Sequence, residues 1–222
     1  NDSDNCTINN CDFRGNNVSS NAGSRGGAID IVGDDAKIIN SNFTNNHAYS
    51  GGAIFAGNSS GNTNITNVTF TKNGAVGDGG AVLIVGDAVT LNDTRFYFNT
   101  AGGSGGALYV GGVSSSNVVH NSVFEDNTAG DHGGAINWLA SSGEVFYSNF
   151  TRNSAVYGGG IYLNGISSNS RIFDVIFSGN RATKNGGAID CNASSMGLNN
   201  TQFIDNYAGE YGAALCREAN AI

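Results

Sequence analysis

Chemistry on sugars or sugar acids needs carboxylates a few ångströms apart, often with a base or cation beside them, so the acids and histidines are placed first. Asp30 and Asp190 stand at the same place after a recurring Gly-Gly-Ala run, with six steps of that run between them. If each step is one coil of stacked strands, the gap is about 29 Å, too wide for a carboxylate pair. His47, His120 and His132 occupy three different places in the repeat, which yields no triad and leaves them as solvated turn or surface histidines. The adjacent acids Asp34-Asp35 and Glu125-Asp126 are expected on turns and strand edges as solubilising charge rather than as calcium ligands. The glycine pairs match neither nucleotide-binding fingerprint. No catalytic residue, cofactor site or metal site is assigned.

Binding makes smaller demands. The residue after Gly-Gly-Ala-aliphatic is aromatic in every second copy, at Phe55, Tyr109 and Tyr162. On stacked coils these rings lie about 10 Å apart on an outward stripe, a spacing suited to sugar rings or a protein partner. Longer Ser/Gly/Asn loops follow in the same copies, spanning Gly57 to Asn64, Gly111 to Asn117 and Asn164 to Ser170. Their coincidence with the rings favours loops that fold back and cover them. Four cysteines lie in two end pairs, and the bridges expected are Cys6 with Cys11 and Cys191 with Cys216, one coil apart. Aligning Gly212 with Gly186, however, turns Cys216 outward while Cys191 faces in. Eleven Asn-x-Ser/Thr sequons occur, and Asn58 and Asn64 are the loop sites best placed for N-glycosylation. Sequons and paired cysteines together favour an extracellular address.

These residues are positioned by a unit that returns eight times. Its phenylalanine falls at Phe13, Phe43, Phe70, Phe96, Phe124, Phe150, Phe177 and Phe203. Three residues later comes asparagine, at Asn16, Asn46, Asn73, Asn99, Asn127, Asn153, Asn180 and Asn206. Alanine follows two residues on in seven copies, and in the first copy at Ala22 after an insertion. Gly-Gly-Ala-aliphatic comes next, as in Gly105-Gly106-Ala107-Leu108, which fits a sharp bend or close approach between coils. Five residues before each phenylalanine stands an aliphatic residue and two before it a small one, the period-2 alternation of a strand with one inward face. A second polar column, three before the phenylalanine (Asn10, Asn40, Asn67, Asp93, Asn121, Tyr147, Asp174, Asn200), is expected to form a ladder along the rod. Repeats of 25 to 28 residues with two strand signals and no helix signal predict a solenoid. The fold class is all-β, a right-handed parallel β-helix of about eight coils, roughly 40 Å long, forming a single domain over residues 1–222. Absence of proline among 34 glycines and 33 asparagines suits stacked strands and tight turns.

The Phe-x-x-Asn and Gly-Gly-Ala-Ile pattern resembles the repeats of the polymorphic outer-membrane autotransporters of chlamydiae. The proline-free, asparagine-rich texture, as in Ser41-Asn42-Phe43-Thr44-Asn45-Asn46, is similar to the adhesin-like surface proteins of methanogenic archaea. The resemblance spans residues 6 to 217 and implies an extracellular, non-catalytic surface module. Two other functions are expected to compete with it: a structural subunit of a filament or cell envelope, and a carbohydrate-active lyase or hydrolase. A cell-surface glycan or protein, or end-to-end self-association, is the expected partner. A formal charge of −8 disfavours nucleic acid, and no run approaches the roughly 20 apolar residues of a membrane helix. The first coil opens inside a strand and the last breaks off without its turn, so the rod is expected to continue in a longer chain or by axial stacking.

Overall fold

The computed structural model describes residues 6–33, 35–57, 61–86, 88–112, 117–140, 142–164, 170–192 and 195–217. Among them every regular element is a strand of two to four residues. In the second coil the strands are Lys37–Ile39, Asn42–Thr44, His47–Ala48 and Ile54–Ala56. Equivalents recur rung by rung and pair in parallel with the coils on either side, building four sheets. In chain order, the first, second and fourth sheets have eight strands, and the third, made of two-residue strands, has seven. The coils wind as a right-handed parallel β-helix.

Why these residues stack is visible in the register. Phe96 pairs with Phe70 and Phe124, and the same like-on-like pairing carries the column from Phe13 to Phe203. Neighbouring rings are near parallel, with centroids 4.7 Å apart in the middle of the rod and 5.4 Å between Phe177 and Phe203. Phe43 through Phe177 are wholly buried, while Phe13 and Phe203 on the outermost rungs are half-buried. The aliphatic column Ile38, Ile65, Leu91, Val119, Val145 and Ile172 lines the first sheet inside, and Ile54, Val82, Leu108, Ile136, Ile161 and Ile189 line the fourth. Trp138 fills an inner corner, and a Cβ on Gly143 would lie 1.8 Å from its ring, so the glycine is the space the indole occupies.

The asparagine column closes the turn between the second and third sheets. Asn127 donates one Nδ2 hydrogen to Asn153 Oδ1 (2.9 Å) and the other to the Phe96 carbonyl (3.0 Å). Its own Oδ1 accepts from the backbone N–H and the Nδ2 of Asn99, both at 3.0 Å. Both donors and the carbonyl are thus satisfied inside the protein, as a buried amide requires. The pattern runs from Asn16 to Asn206. The second polar column behaves differently. Its residues sit at the corner between the first and second sheets with left-handed backbone, φ 56 at Asn10 and 51 at Tyr147, which is why Asn and Asp dominate it. Side-chain bonds link Asn67 to Asn40, Asn121 to Asp93 and Asn200 to Asp174, whereas Asn40 reaches Asn9 and Tyr147 interrupts the run. It is a column of left-handed turns with local amide pairs, not a continuous ladder.

The Gly-Gly pair combines two requirements. Gly105 is left-handed (φ 68), and a Cβ on Gly106 would meet the Gly134 carbonyl of the next coil at 2.1 Å. Other sequence expectations also need correction. In the first coil Asn17 bridges His47 and the Val18 N–H donates to the His47 carbonyl, so Val18 and not Ala22 takes the alanine's place; the insertion lies after it. The two disulfides do not form: Cys6, Cys11 and Cys191 carry free thiols. Cys191 pairs with Arg217 and Asp190 with Cys216, so Cys191 and Cys216 lie on opposite faces of the fourth sheet and cannot bridge without backbone movement. Asn64 opens the strand Asn64–Thr66 with its side chain exposed and bonded to Thr66, so it is a strand site rather than a loop site. Asn58 lies outside the described residues, as do most of the three long loops.

Candidate binding face

Outward positions of the fourth sheet form one column in strict register: Asp30, Phe55, Leu83, Tyr109, Asn137, Tyr162, Asp190 and Cys216. A second column flanks it, because the residue before each left-handed glycine stands at the corner leading into this sheet. Its members are Arg25, Ser50, Asp78, Ser104, His132, Tyr157, Asn185 and Tyr211. Outward side chains are free of the packing demands that hold the core repeat, so here residue type changes from rung to rung.

The three expected aromatics do share this face, and each is half-buried by a different neighbour. Arg25 stacks its guanidinium 4.5 Å over Phe55 while its Nε donates to Asp30 (2.9 Å). Glycines at the start of the long loops lie against two of the rings: a Cβ on Gly111 would come within 2.6 Å of Tyr109, and one on Gly57 within 3.2 Å of Phe55. Burial pushes the Tyr109 hydroxyl above its ordinary pKa, and the Asp78 carboxylate adds to the shift. Asp78 itself accepts the Ser104 N–H at 2.7 Å.

Around Tyr162 the columns meet in a cavity of about 360 Å³ lined by His132, Tyr157, Tyr162 and Asp190. The His132 ring stacks on Tyr157 at 5.1 Å and tilts against Tyr162 at 4.2 Å. Its Nδ1 lies 3.0 Å from Asp131. Lys184 donates to the Tyr157 hydroxyl (2.9 Å), which raises the lysine pKa. Asp190 is 1 % exposed although its side chain is outward. His132 is therefore a packed member of an aromatic group and not a solvated turn residue. His120 is likewise packed: its Nδ1 is 2.6 Å from Asn92 Oδ1 and its ring lies 4.4 Å from Phe146.

That second group was not anticipated. On the outer face of the first sheet His120, Phe146 and Phe173 stack in register, with Tyr147 set edge-on against all three. Reading the position four before each ladder phenylalanine down the rungs (Asn92, His120, Phe146, Phe173) would have revealed it. Glu125 and Asp126 are held by Arg152, whose Nε and a terminal nitrogen bind Asp126 at 2.9 and 2.8 Å. Those carboxylates raise the arginine pKa, with Asp126 contributing most. Among the described residues no three His, Cys, Asp or Glu side chains gather as metal ligands would. Asp30 and Asp190 stand on the first and seventh rungs of the fourth sheet, so no carboxylate pair forms between them.

Comparison with known proteins agrees with this architecture. Residues 40–57 match the Chlamydia polymorphic membrane protein repeat, which points to a surface protein. No curated protein and no solved structure matches the chain. Residues 52–220, about three quarters of the chain, match the model of the right-handed beta helix region, and with the continuous parallel register of its sheets the chain belongs to the right-handed β-helix family.

Proposed function

We propose that this chain is a non-catalytic, adhesin-like module displayed outside the cell, with the outer face of the fourth sheet as its contact surface for a cell-surface glycan or protein. The observation that supports it best is the paired column of aromatic and polar side chains, Phe55, Tyr109 and Tyr162 flanked by Arg25, Asp78, His132 and Tyr157, set on strands whose parallel register aligns them. Rings half-covered on one side and open on the other present apolar surface with polar neighbours, as recognition surfaces do. The polymorphic membrane protein match supports the surface location. Exposed Asn64 is a site for glycan attachment in that setting.

The test is binding of the purified chain to a panel of cells and to a glycan array, alongside the triple variant Phe55→Ala/Tyr109→Ala/Tyr162→Ala. Binding by the parent and loss of at least about tenfold in the variant is expected for three removed aromatic contacts. Unchanged binding by the variant, or release of reducing ends or unsaturated products from polysaccharides, would overturn the proposal.

A further inference from the structure

We propose that Asn199 is a site of N-linked glycosylation and that the first sugar of its glycan seats in the cavity beside Phe173, on the outer face of the first sheet. The inference rests on the extracellular location in the reading above and not on the contact surface, which lies on the fourth sheet. Asn199-Asn200-Thr201 is a sequon, and Asn199 ends the strand Met196–Asn199 with its side chain exposed. Its carbonyl accepts the Thr201 hydroxyl at 3.0 Å and the Asp174 N–H at 3.1 Å, while its side-chain amide has no hydrogen-bond partner among the described residues. A cavity of about 260 Å³ adjoins it, lined by Arg171, Ile172, Phe173, Gly197, Leu198 and Asn199 itself. That is short of the roughly 300–1,000 Å³ of sites that hold a whole free ligand. It suits a single ring on a covalent tether, because a tethered group meets its seat at high effective concentration and needs few contacts to stay there.

The walls fit a sugar. His120, Phe146 and Phe173 stack rung upon rung, and the rung after Phe173 brings Asn199 in place of another ring. The face of Phe173 turned away from Phe146 is therefore left without an aromatic partner in its column, and the negative face of an aromatic ring attracts the C–H groups along one side of a sugar. Gly197, two residues before Asn199 on the same face of the strand, keeps the floor open: the nearest atom to an added Cβ is the Arg171 side chain at 3.9 Å. Arg171, ion-paired with Glu144, stands at the rim, where its other N–H groups can donate to sugar oxygens. Other exposed sequon asparagines lack this setting: Asn42 lies between Asp12 and Thr69, and Asn149 between Val123 and Ile176. The transfer draws on a lipid diphosphate-linked sugar and a transferase of the secretory path. Asn199 Nδ2 attacks the anomeric carbon, a C–N bond forms as the C–O bond to the diphosphate breaks, the amide gives up a proton and the lipid diphosphate leaves.

The experiment is secretion of the full chain from a host that glycosylates Asn-x-Thr sites, followed by glycopeptide mapping and trimming of each glycan to its first N-acetylglucosamine. Melting curves and proton NMR are then recorded on the trimmed chain. Asn199 is occupied. Against Asn199→Gln, which lacks this glycan alone, the trimmed parent melts about 2 °C or more higher. Sugar C–H resonances move upfield over the Phe173 ring. Both effects vanish in Phe173→Ala, which removes the ring, and in Gly197→Leu, which fills the seat; neither substitution touches the sequon. The same two substitutions made on Asn199→Gln measure what each costs the fold by itself. Asn199 left unoccupied in the secreted chain, or stabilisation and shifted resonances that survive both substitutions, would overturn the site. Cell binding by the same samples separates this from the adhesive reading: binding by a chain bare at Asn199 overturns the glycan site alone, and an occupied, stabilised chain that binds no cell overturns the adhesive reading alone.

Discussion

Gly106 shows how narrow the tolerance is at single residues. The backbone of the next coil passes where its Cβ would be, and the obstructing atom is a carbonyl oxygen that cannot swing aside. Gly106→Ala is therefore expected to cost several kcal/mol, at or above the ~3 kcal/mol upper range of overpacking. On Gly197 the nearest atom to an added Cβ is the Arg171 side chain at 3.9 Å, so Gly197→Ala should be nearly neutral. Urea melts of the two variants separate these cases. Tyr109 gives a prediction in pH. The unfolded tyrosine ionises near its ordinary value of 10.0, whereas the folded one, desolvated and near Asp78, holds its proton to higher pH. The stabilisation is fully present below pH 10 and is lost as pH rises through the folded pKa, because the unfolded state releases its proton first. Tyr109→Phe should flatten the alkaline fall in stability, read as the slope of melting midpoint against pH from 9 to 11 (about one unit either side of the ordinary value).

Columns respond differently from single sites, since each ring of a ladder supports two others. Phe124 is wholly buried between Phe96 and Phe150, both at 4.7 Å, and Phe124→Ala is expected to cost about 3–5 kcal/mol. Phe98 lies in another column, the left-handed corner after the ladder phenylalanine, with φ 56 and its side chain half exposed. There Phe98→Gly removes a conformational penalty of about 1 kcal/mol and should hold or raise the melting midpoint. The ladders were legible in the sequence because a residue stacked on its own copy must recur in type and spacing, as Phe124 and Asn127 do. The outward groups were not legible. His132, Tyr157 and Tyr162 differ in type, lie at two different repeat positions, and meet only because the register brings the corner column beside the sheet column. Strand alternation also decided the cysteines: a one-residue offset between Cys191 and Cys216 outweighed their suitable separation along the chain. Val18 displaced Ala22 because pairing with His47 continues directly from Asn17, and the insertion is accommodated afterwards.

As a whole the molecule is a stack in which each coil touches only its neighbours, so protection should grade along the rod. Hydrogen exchange is expected to be slowest on the middle rungs, at strands Val123–Glu125 and Asn149–Thr151, and faster at Asp12–Arg14 and Gln202–Ile204, whose phenylalanines are only half-buried. Uniform protection from end to end would indicate global unfolding as the only opening. The asparagine column adds a directionality that the backbone sheets lack. Backbone bonds cross between coils both ways, with Asn42 N–H donating back to Cys11 and Gly26 N–H forward to Ser50. The amide-to-amide bonds all point one way, each asparagine sending a backbone and a side-chain hydrogen to the Oδ1 of the coil that follows. Deleting coils after Asn127 would strand two of its N–H donors, while deleting those before it strands its Oδ1 and only one N–H, the one bonded to Phe96. Orphaned donors are the less tolerated defect. The rod thus has a head and a tail in the sense of a zipper: shortened from its amino-terminal side it should stay folded better than when an equal length is removed from the other.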